Sequence, residues 1–251
     1  MERKMLIIGF LLVCVVVGTA VILSPVPGPA ASTMVQASTG DIVLEKTLPN
    51  SPATAVEYRV MKTESVFEGS ERLFAVKSDL PSESEAPAMA AKILEKYGGL
   101  PKDAVIKHVG TVSMQKYNTE TEITEEQYPQ FTQVIYSQQI NGSPVIGPGA
   151  EINICLGPGG EMLQIEKAWR HLEFSREVPV ISSGEAFVKL KKHDLLVIPQ
   201  SSLAGITIGD VRLGYYAEDR QRDQTVYSPV WIFYGTKTGG EPFPYVVDAR
   251  Q

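Results

Sequence analysis

The chain has 251 residues, 43% of them hydrophobic, with 23 Lys and Arg against 29 Asp and Glu and a formal net charge of −6. That length suits one medium or two small domains plus an anchor, and that apolar share excludes disorder throughout. The acidic balance repels phosphate backbones, so nucleic acid is disfavoured as a partner.

Met5 to Leu23 is an uncharged apolar run of 19 residues, about 28 Å long as a helix and so matched to a bilayer core. Arg3 and Lys4 precede it, and no basic residue follows until Lys46. The positive-inside rule therefore predicts a single-pass membrane anchor over 1–24, with a cytoplasmic N-terminus and an extracytoplasmic remainder. A cleaved signal peptide is the competing reading, with Ala30-Ala31-Ser32 or Val35-Gln36-Ala37 as the small-residue cleavage region. A lipoprotein signal ending at Cys14 is disfavoured because bulky Val13 stands where a small residue is needed. Pro25, Pro27, Pro29, Pro49 and Pro52 among Ala, Ser, Thr and Gly make 25–54 read as a stalk.

Val56 to Lys62 and Leu73 to Lys77 alternate apolar and polar residues around Glu68-Gly69-Ser70, which predicts a hairpin. Ser82 or Ser84 then caps a helix from about Glu85 to Tyr97. Ala86, Met89, Ala90, Ile93, Leu94 and Tyr97 form its apolar stripe, and Gly98-Gly99 its stop. Strands follow over Val105 to Tyr117, Thr132 to Ile140, Ala150 to Leu156 and Met162 to Arg170. Asn141-Gly142 and Gly157-Pro158-Gly159-Gly160 supply turns between them. A second, shorter cycle begins with a helix from Ser182 or Ser183 to His193. It continues with strands over Ile206 to Ala217, Val230 to Thr236 and Tyr245 to Ala249, with Gly239-Gly240 making the last turn.

Ile135-Tyr136-Ser137-Gln138-Gln139-Ile140-Asn141-Gly142-Ser143-Pro144-Val145-Ile146-Gly147, then Glu151-Ile152-Asn153-Ile154 and Glu161-Met162-Leu163-Gln164-Ile165, form an ordered series of short motifs. Ser183-Gly184-Glu185-Ala186, Leu213-Gly214-Tyr215-Tyr216, Pro229-Val230-Trp231-Ile232-Phe233 and Tyr245-Val246-Val247-Asp248-Ala249 continue it. The series resembles PepSY and FTP-type propeptide domains over roughly the last 120 residues. The resemblance implies cystatin-like α+β units acting as protease propeptides, inhibitors or chaperones, or as extracytoplasmic sensory and regulatory domains. With no protease sequence after Gln251, a propeptide role in cis is not expected.

The usual catalytic signatures are missing from the sequence: no His-Glu-x-x-His, Gly-x-Ser-x-Gly, phosphate-binding Gly-Lys-Ser/Thr or Cys-x-x-Cys occurs. His108, His171 and His193 lack a second ligand at zinc spacing. Cys14 lies in the apolar run and Cys155 in a predicted strand, so no disulfide is expected and Cys155 reads as a small buried residue. Glu120, Glu122, Glu125 and Glu126 read as a solvated loop, Trp231 and Tyr215 as core, and Asp248 as a structural carboxylate seeking a partner. Asn141-Gly142-Ser143 is formally a glycosylation acceptor, but ordinary turn chemistry explains it.

The expected fold is α+β: one N-terminal transmembrane helix, a stalk, then tandem cystatin-like, PepSY-like units over 55–174 and 175–251, each a helix on a curled antiparallel sheet. The expected function is that of a non-enzymatic, extracytoplasmic, membrane-tethered binding or regulatory module. It would act, with no cofactor or metal, on a polypeptide such as a protease or another envelope protein. A structural envelope component, or a hydrolase assembled only in the fold around His171 with Glu173 or Glu151, is the alternative.

Overall fold

The computed structural model describes residues 42–118, 123–197, 203–237, 240 and 242–251. The anchor over 5–23, the first part of the stalk, Glu120, Glu122 and Gly239 lie outside the described residues. Among the described residues no helix is long and apolar enough to cross a membrane.

Strands dominate the described residues. In order they are β1 (Val43–Leu44), β2 (Thr54–Gly69), β3 (Ala104–Asn118), β4 (Ile123–Ile140), β5 (Ser143–Ile146), β6 (Glu151–Leu156), β7 (Met162–Pro179), β8 (Ile206–Tyr216), β9 (Val226–Tyr227), β10 (Pro229–Lys237) and β11 (Phe243–Asp248). The α-helices are α1 (Ala86–Leu94) and α2 (Ser183–Lys191), each of nine residues. The expected α+β fold of tandem cystatin-like units, each a helix on an antiparallel sheet, is therefore corrected: the fold is mostly β and its sheet is mixed. Two observations overturn it. β2, β4 and β7 run for 16, 18 and 18 residues, and β8 takes parallel neighbours in β1 and β5 as well as antiparallel β10.

The chain forms two compact units. The first comprises Val66–Tyr136 and Ile152–Lys167; the second comprises the described part of 22–65, Ser137–Glu151 and Ala168–Gln251. In the first, β3 pairs with β4, β4 with β6, and β6 with β7. Leu73, Phe131, Cys155 and Leu163 form its apolar cluster, with Val112 packed against them. The predicted partner strand at Leu73 to Lys77 is instead a 3-10 turn, Glu71–Phe74, capped by Ser70. Lys77 explains the change, since its ammonium donates to the carbonyls of Arg72, Leu73 and Ala75 at 2.6, 3.2 and 2.7 Å. Those acceptors converge only when the chain turns.

In the second unit β10 lies between β8 and β11, with Trp231 opposite Leu213 and Val247. Both faces of β10 are buried, hence its nearly unbroken apolar run. Trp231 and Phe233 join the cluster that includes Ala186 and Leu190 of α2; Val230 and Ile232 join Val246. The Trp231 indole donates to the Ile181 carbonyl at 3.0 Å. Ile42, Leu44 and Leu48, from the stretch grouped with the stalk, pack on the α2-side cluster. The Asn141-Gly142 turn forms as its sequence predicts, both residues at positive φ (49° and 84°) between paired Ile140 and Ser143.

The two helix starts share a serine-to-glutamate contact, but only α2 has a side-chain cap: Ser182 closes a capping box there, whereas α1 begins at Glu85 with no side-chain bond to its backbone and the expected cap by Ser82 or Ser84 is not formed. Glu85 accepts from the Ser82 backbone and hydroxyl at 3.1 and 2.6 Å. Glu185 accepts from the corresponding groups of Ser182 at 2.7 and 2.8 Å, while Ser182 accepts from the Glu185 amide. The bond from the Ser82 hydroxyl chiefly, then that from its amide, holds Glu85 below the ordinary value of 4.5. For Glu185 the Ser182 amide leads and the hydroxyl follows. A carboxyl with a lowered folded pKa stabilises fully above its unfolded value and loses that contribution as pH falls through the folded one. Glu185→Ala should therefore destabilise the protein at about pH 6 in urea unfolding, and its difference from wild type should shrink toward about pH 3.

Arg170 of β7 is fully buried. Its guanidinium donates to the carbonyls of Gly149, Glu218, Asp219 and Arg222 at 3.3, 2.9, 3.2 and 3.4 Å and lies 5.9 Å from the Tyr227 ring centre. A Cβ on Gly149 would collide with this guanidinium and with the Glu218 carbonyl. Gly149→Ala should cost about 1–3 kcal/mol in urea unfolding. Gly184→Ala, near only Ser182 Oγ in the first turn of α2, should be neutral or stabilising by up to about 1 kcal/mol.

Candidate functional site

The first unit carries a groove of about 430 Å³ beside α1, lined by Met89, Lys92, Ile93, Lys96, Tyr97, Gly159, Gly160 and Met162. Helical spacing builds it. Ala86, Ala90 and Leu94 recur every four residues and are fully buried; Met89, Ile93 and Tyr97 recur in the same way and stay half-buried. The single stripe expected from the sequence thus divides into a packed row and an accessible row. Gly98 and Gly99, at φ 89° and 82°, end the helical segment after Tyr97, and the Gly99 amide donates back to the Leu94 carbonyl at 2.8 Å.

Tyr97 is fixed at both ends. Its hydroxyl donates to Glu68 Oε2 at 2.7 Å and lies 3.7 Å from the Met162 sulfur, and its carbonyl accepts from buried Lys167 at 2.8 Å. The bond to Glu68, then burial, pushes the Tyr97 phenol above its usual pKa. The opposite wall is the β6–β7 turn, where Gly159 and Gly160 adopt φ 63° and 79°. A Cβ on Gly160 would press within 2.7 Å of the Met89 sulfur. These glycines therefore serve a turn and a close approach, in keeping with their reading as hairpin chemistry.

Strand β3 is the second feature of this unit. Among the described residues it pairs with β4 alone, so its other edge carries no strand. Val105 and Ile106 are 39% and 55% exposed. Adjacent residues in a strand face opposite sides, so β3 is uncovered on both faces there.

The second unit has a polar cleft of about 280 Å³ whose lining includes Tyr216, Glu218, Asp223, Gln224, Asp248 and Arg250. Gln224 builds one wall, accepting from the Glu218 amide and donating to the Tyr216 carbonyl, both at 2.9 Å. Asp248 receives Arg250 Nη2 at 2.6 Å and Nε at 3.0 Å. Burial raises the Asp248 pKa, but the bonds from the Arg250 side chain and amide outweigh it and hold the carboxyl low. Asp248 thus has the structural partner its sequence context calls for.

The histidines are placed apart from both cavities. His171 Nε2 lies 2.9 Å from Glu64 Oε1, and Glu64 also accepts Lys62 at 2.9 Å on an exposed surface. His193 is exposed just after α2 at φ 60°. No group of three His, Cys, Asp or Glu that could hold a metal occurs among the described residues. Trp231 and Tyr215 are core residues, 1% and 6% exposed. The Asn141 amide donates to the Tyr58 hydroxyl at 3.1 Å. Glu126 is exposed.

No family model matches the chain, and no curated protein matches it in sequence. Among solved structures, an uncharacterized protein from Eubacterium rectale ATCC 33656 is similar over 72% of this chain and 57% of its own length, at 14% identity and a TM-score of 0.36. The chain spans somewhat over half of that protein, and a likeness of this degree carries no functional argument.

Cys155 is buried in the first unit's core. Desolvation, then the nearby Glu166 charge, pushes its thiol up to about 12. The thiolate fraction at about pH 8 is therefore suppressed about a thousandfold relative to an exposed cysteine. Ellman's reagent should leave Cys155 unlabelled in the native protein and modify it at once in denaturant; rapid native labelling would show an open core.

Proposed function

We propose that the chain is a non-enzymatic binding or regulatory module, held outside the cytoplasm by its N-terminal anchor and acting on a polypeptide such as a protease or another envelope protein. The observation that carries this reading is β3, with one strand neighbour and with Val105 and Ile106 in solvent. An unpaired edge offers a row of backbone donors and acceptors to an extended partner, and apolar side chains beside it add burial. The motif series ending at Asp248-Ala249 resembles extracytoplasmic regulatory domains and supports the same reading through its sequence alone.

Two measurements test it. A photo-crosslinking residue at Ile106, in the full-length chain in native membranes, should capture a discrete polypeptide that the same residue at exposed Lys192 does not. Ile106→Lys should abolish co-purification of that polypeptide, because charged edge strands resist strand addition. Equal capture at both positions would argue for random collision. A C-terminal reporter active only in the cytosol would remove the extracytoplasmic placement altogether.

A further inference from the structure

We propose that the groove beside α1 holds an acidic polypeptide segment centred on an apolar side chain. This goes beyond the strand-edge reading and does not depend on it, since the groove is lined by other residues and its test does not use β3.

The floor of the groove is Met89, Ile93 and Met162, with Tyr97 at one end. Two thioethers and an isoleucine make an adaptable apolar bed, suited to one buried aliphatic or aromatic side chain rather than to a polar group. Tyr97 contributes an immobile wall, because its hydroxyl and its carbonyl are both engaged. The volume of about 430 Å³ accommodates one such side chain with its flanking backbone.

Charge decides what surrounds that side chain. Lys92 and Lys96 line the groove at i, i+4 spacing, both exposed. Like charges at this spacing on a helix repel one another. Neither ammonium has a hydrogen-bond or ion-pair partner among the described residues; Glu68, held by the Tyr97 hydroxyl, stays ionised at that end of the groove, and Glu161 pairs with Arg72. In a chain of net charge −6, two cations without ion-pair partners bordering an apolar bed are complementary to carboxylates flanking an apolar anchor. The i, i+4 spacing places the two ammonium stems about 6 Å apart along the helix, close to the repeat of alternate residues in an extended peptide. A strand-like acidic segment can therefore meet both lysines from one face while its apolar residue enters the bed.

The test uses the full-length chain in nonionic detergent and a fluorescein-labelled hexapeptide, Glu-Glu-Leu-Phe-Glu-Glu, read by anisotropy. Saturable binding is expected, weakened about tenfold when the peptide carries Gln in place of Glu. Lys92→Glu with Lys96→Glu should weaken the acidic peptide at least as much and should bind Lys-Lys-Leu-Phe-Lys-Lys instead. That reversal separates a docking role from loss of fold, with far-UV circular dichroism and protection of Cys155 checked in parallel. Ile93→Ser, passed through the same folding checks, should weaken both peptides without reversing the preference. No binding, equal binding of the Glu and Gln peptides, or unchanged binding by the double variant would overturn the proposal. So would displacement of the peptide by dihexanoylphosphatidylglycerol, below its micellar concentration, at lower concentration than unlabelled peptide, since the site would then belong to a lipid headgroup.

Discussion

The register of β7 is the constraint on which much else depends. This single strand of 18 residues contributes Leu163, Ile165 and Lys167 to the first unit and Trp169 and Arg170 to the second, all buried. Strand side chains alternate with a period of two, so a slip of one residue would move every one of them to the wrong side of its sheet. Two of the five are cations. Lys167 needs the Tyr97 carbonyl, and Arg170 needs four carbonyls from Gly149 and the segment 218–222. A buried charge without such partners costs several kcal/mol or more, so the wrong register is penalised twice.

These cations also explain why loops without regular structure hold one shape. The segment after β8 closes over Arg170, and Gln224 braces it through Tyr216 and Glu218. In the first unit Lys77 gathers three carbonyls of the 3-10 turn. Each case replaces water on exposed backbone carbonyls with a side-chain donor, the same need that capping groups meet at helix ends.

Local chemistry was legible in the sequence where it was self-contained. The Ser182 cap of α2, the Gly98-Gly99 stop, the Asn141-Gly142 turn and the positions of most long strands follow from residues adjacent in the chain, whereas the expected serine cap of α1 does not form, Glu85 standing at that N-cap. What was not legible depends on distant partners. The Asn141-Gly142 turn marks only the start of Ser143–Ile146, where Ser143 and Pro144 pair back onto Ile140 and Gln139; nothing local marks the parallel pairing of Val145 and Ile146 with Tyr215 and Tyr216. Val43–Leu44 likewise needs Thr207 and Ile208. Leu73 to Lys77 alternates like a strand, yet the reach of one lysine turns it. Those long-range pairings make the sheet mixed, and they are why the chain does not form tandem helix-on-sheet units even though most of its long strands stand where their sequence places them. The groove was half legible: the stripe on α1 was evident, but its division into buried and accessible rows requires knowing that the β6–β7 turn covers only part of it.

Energetics indicate how a site of this kind would work. Burying one Leu or Phe side chain is worth about 1.5–3 kcal/mol, and two exposed ion pairs add about 0–1 kcal/mol each. Lost translational and rotational freedom offsets much of that gain, so the groove by itself supports only weak binding. Backbone bonds along a strand edge such as β3 would add to it if one partner engaged both. A shared membrane surface would help in a different way, since tethering turns the second contact into an intramolecular event at millimolar effective concentration. Weak contacts that become strong only under confinement dissociate readily once either is lost, which is the behaviour a regulatory module needs and a permanent scaffold does not.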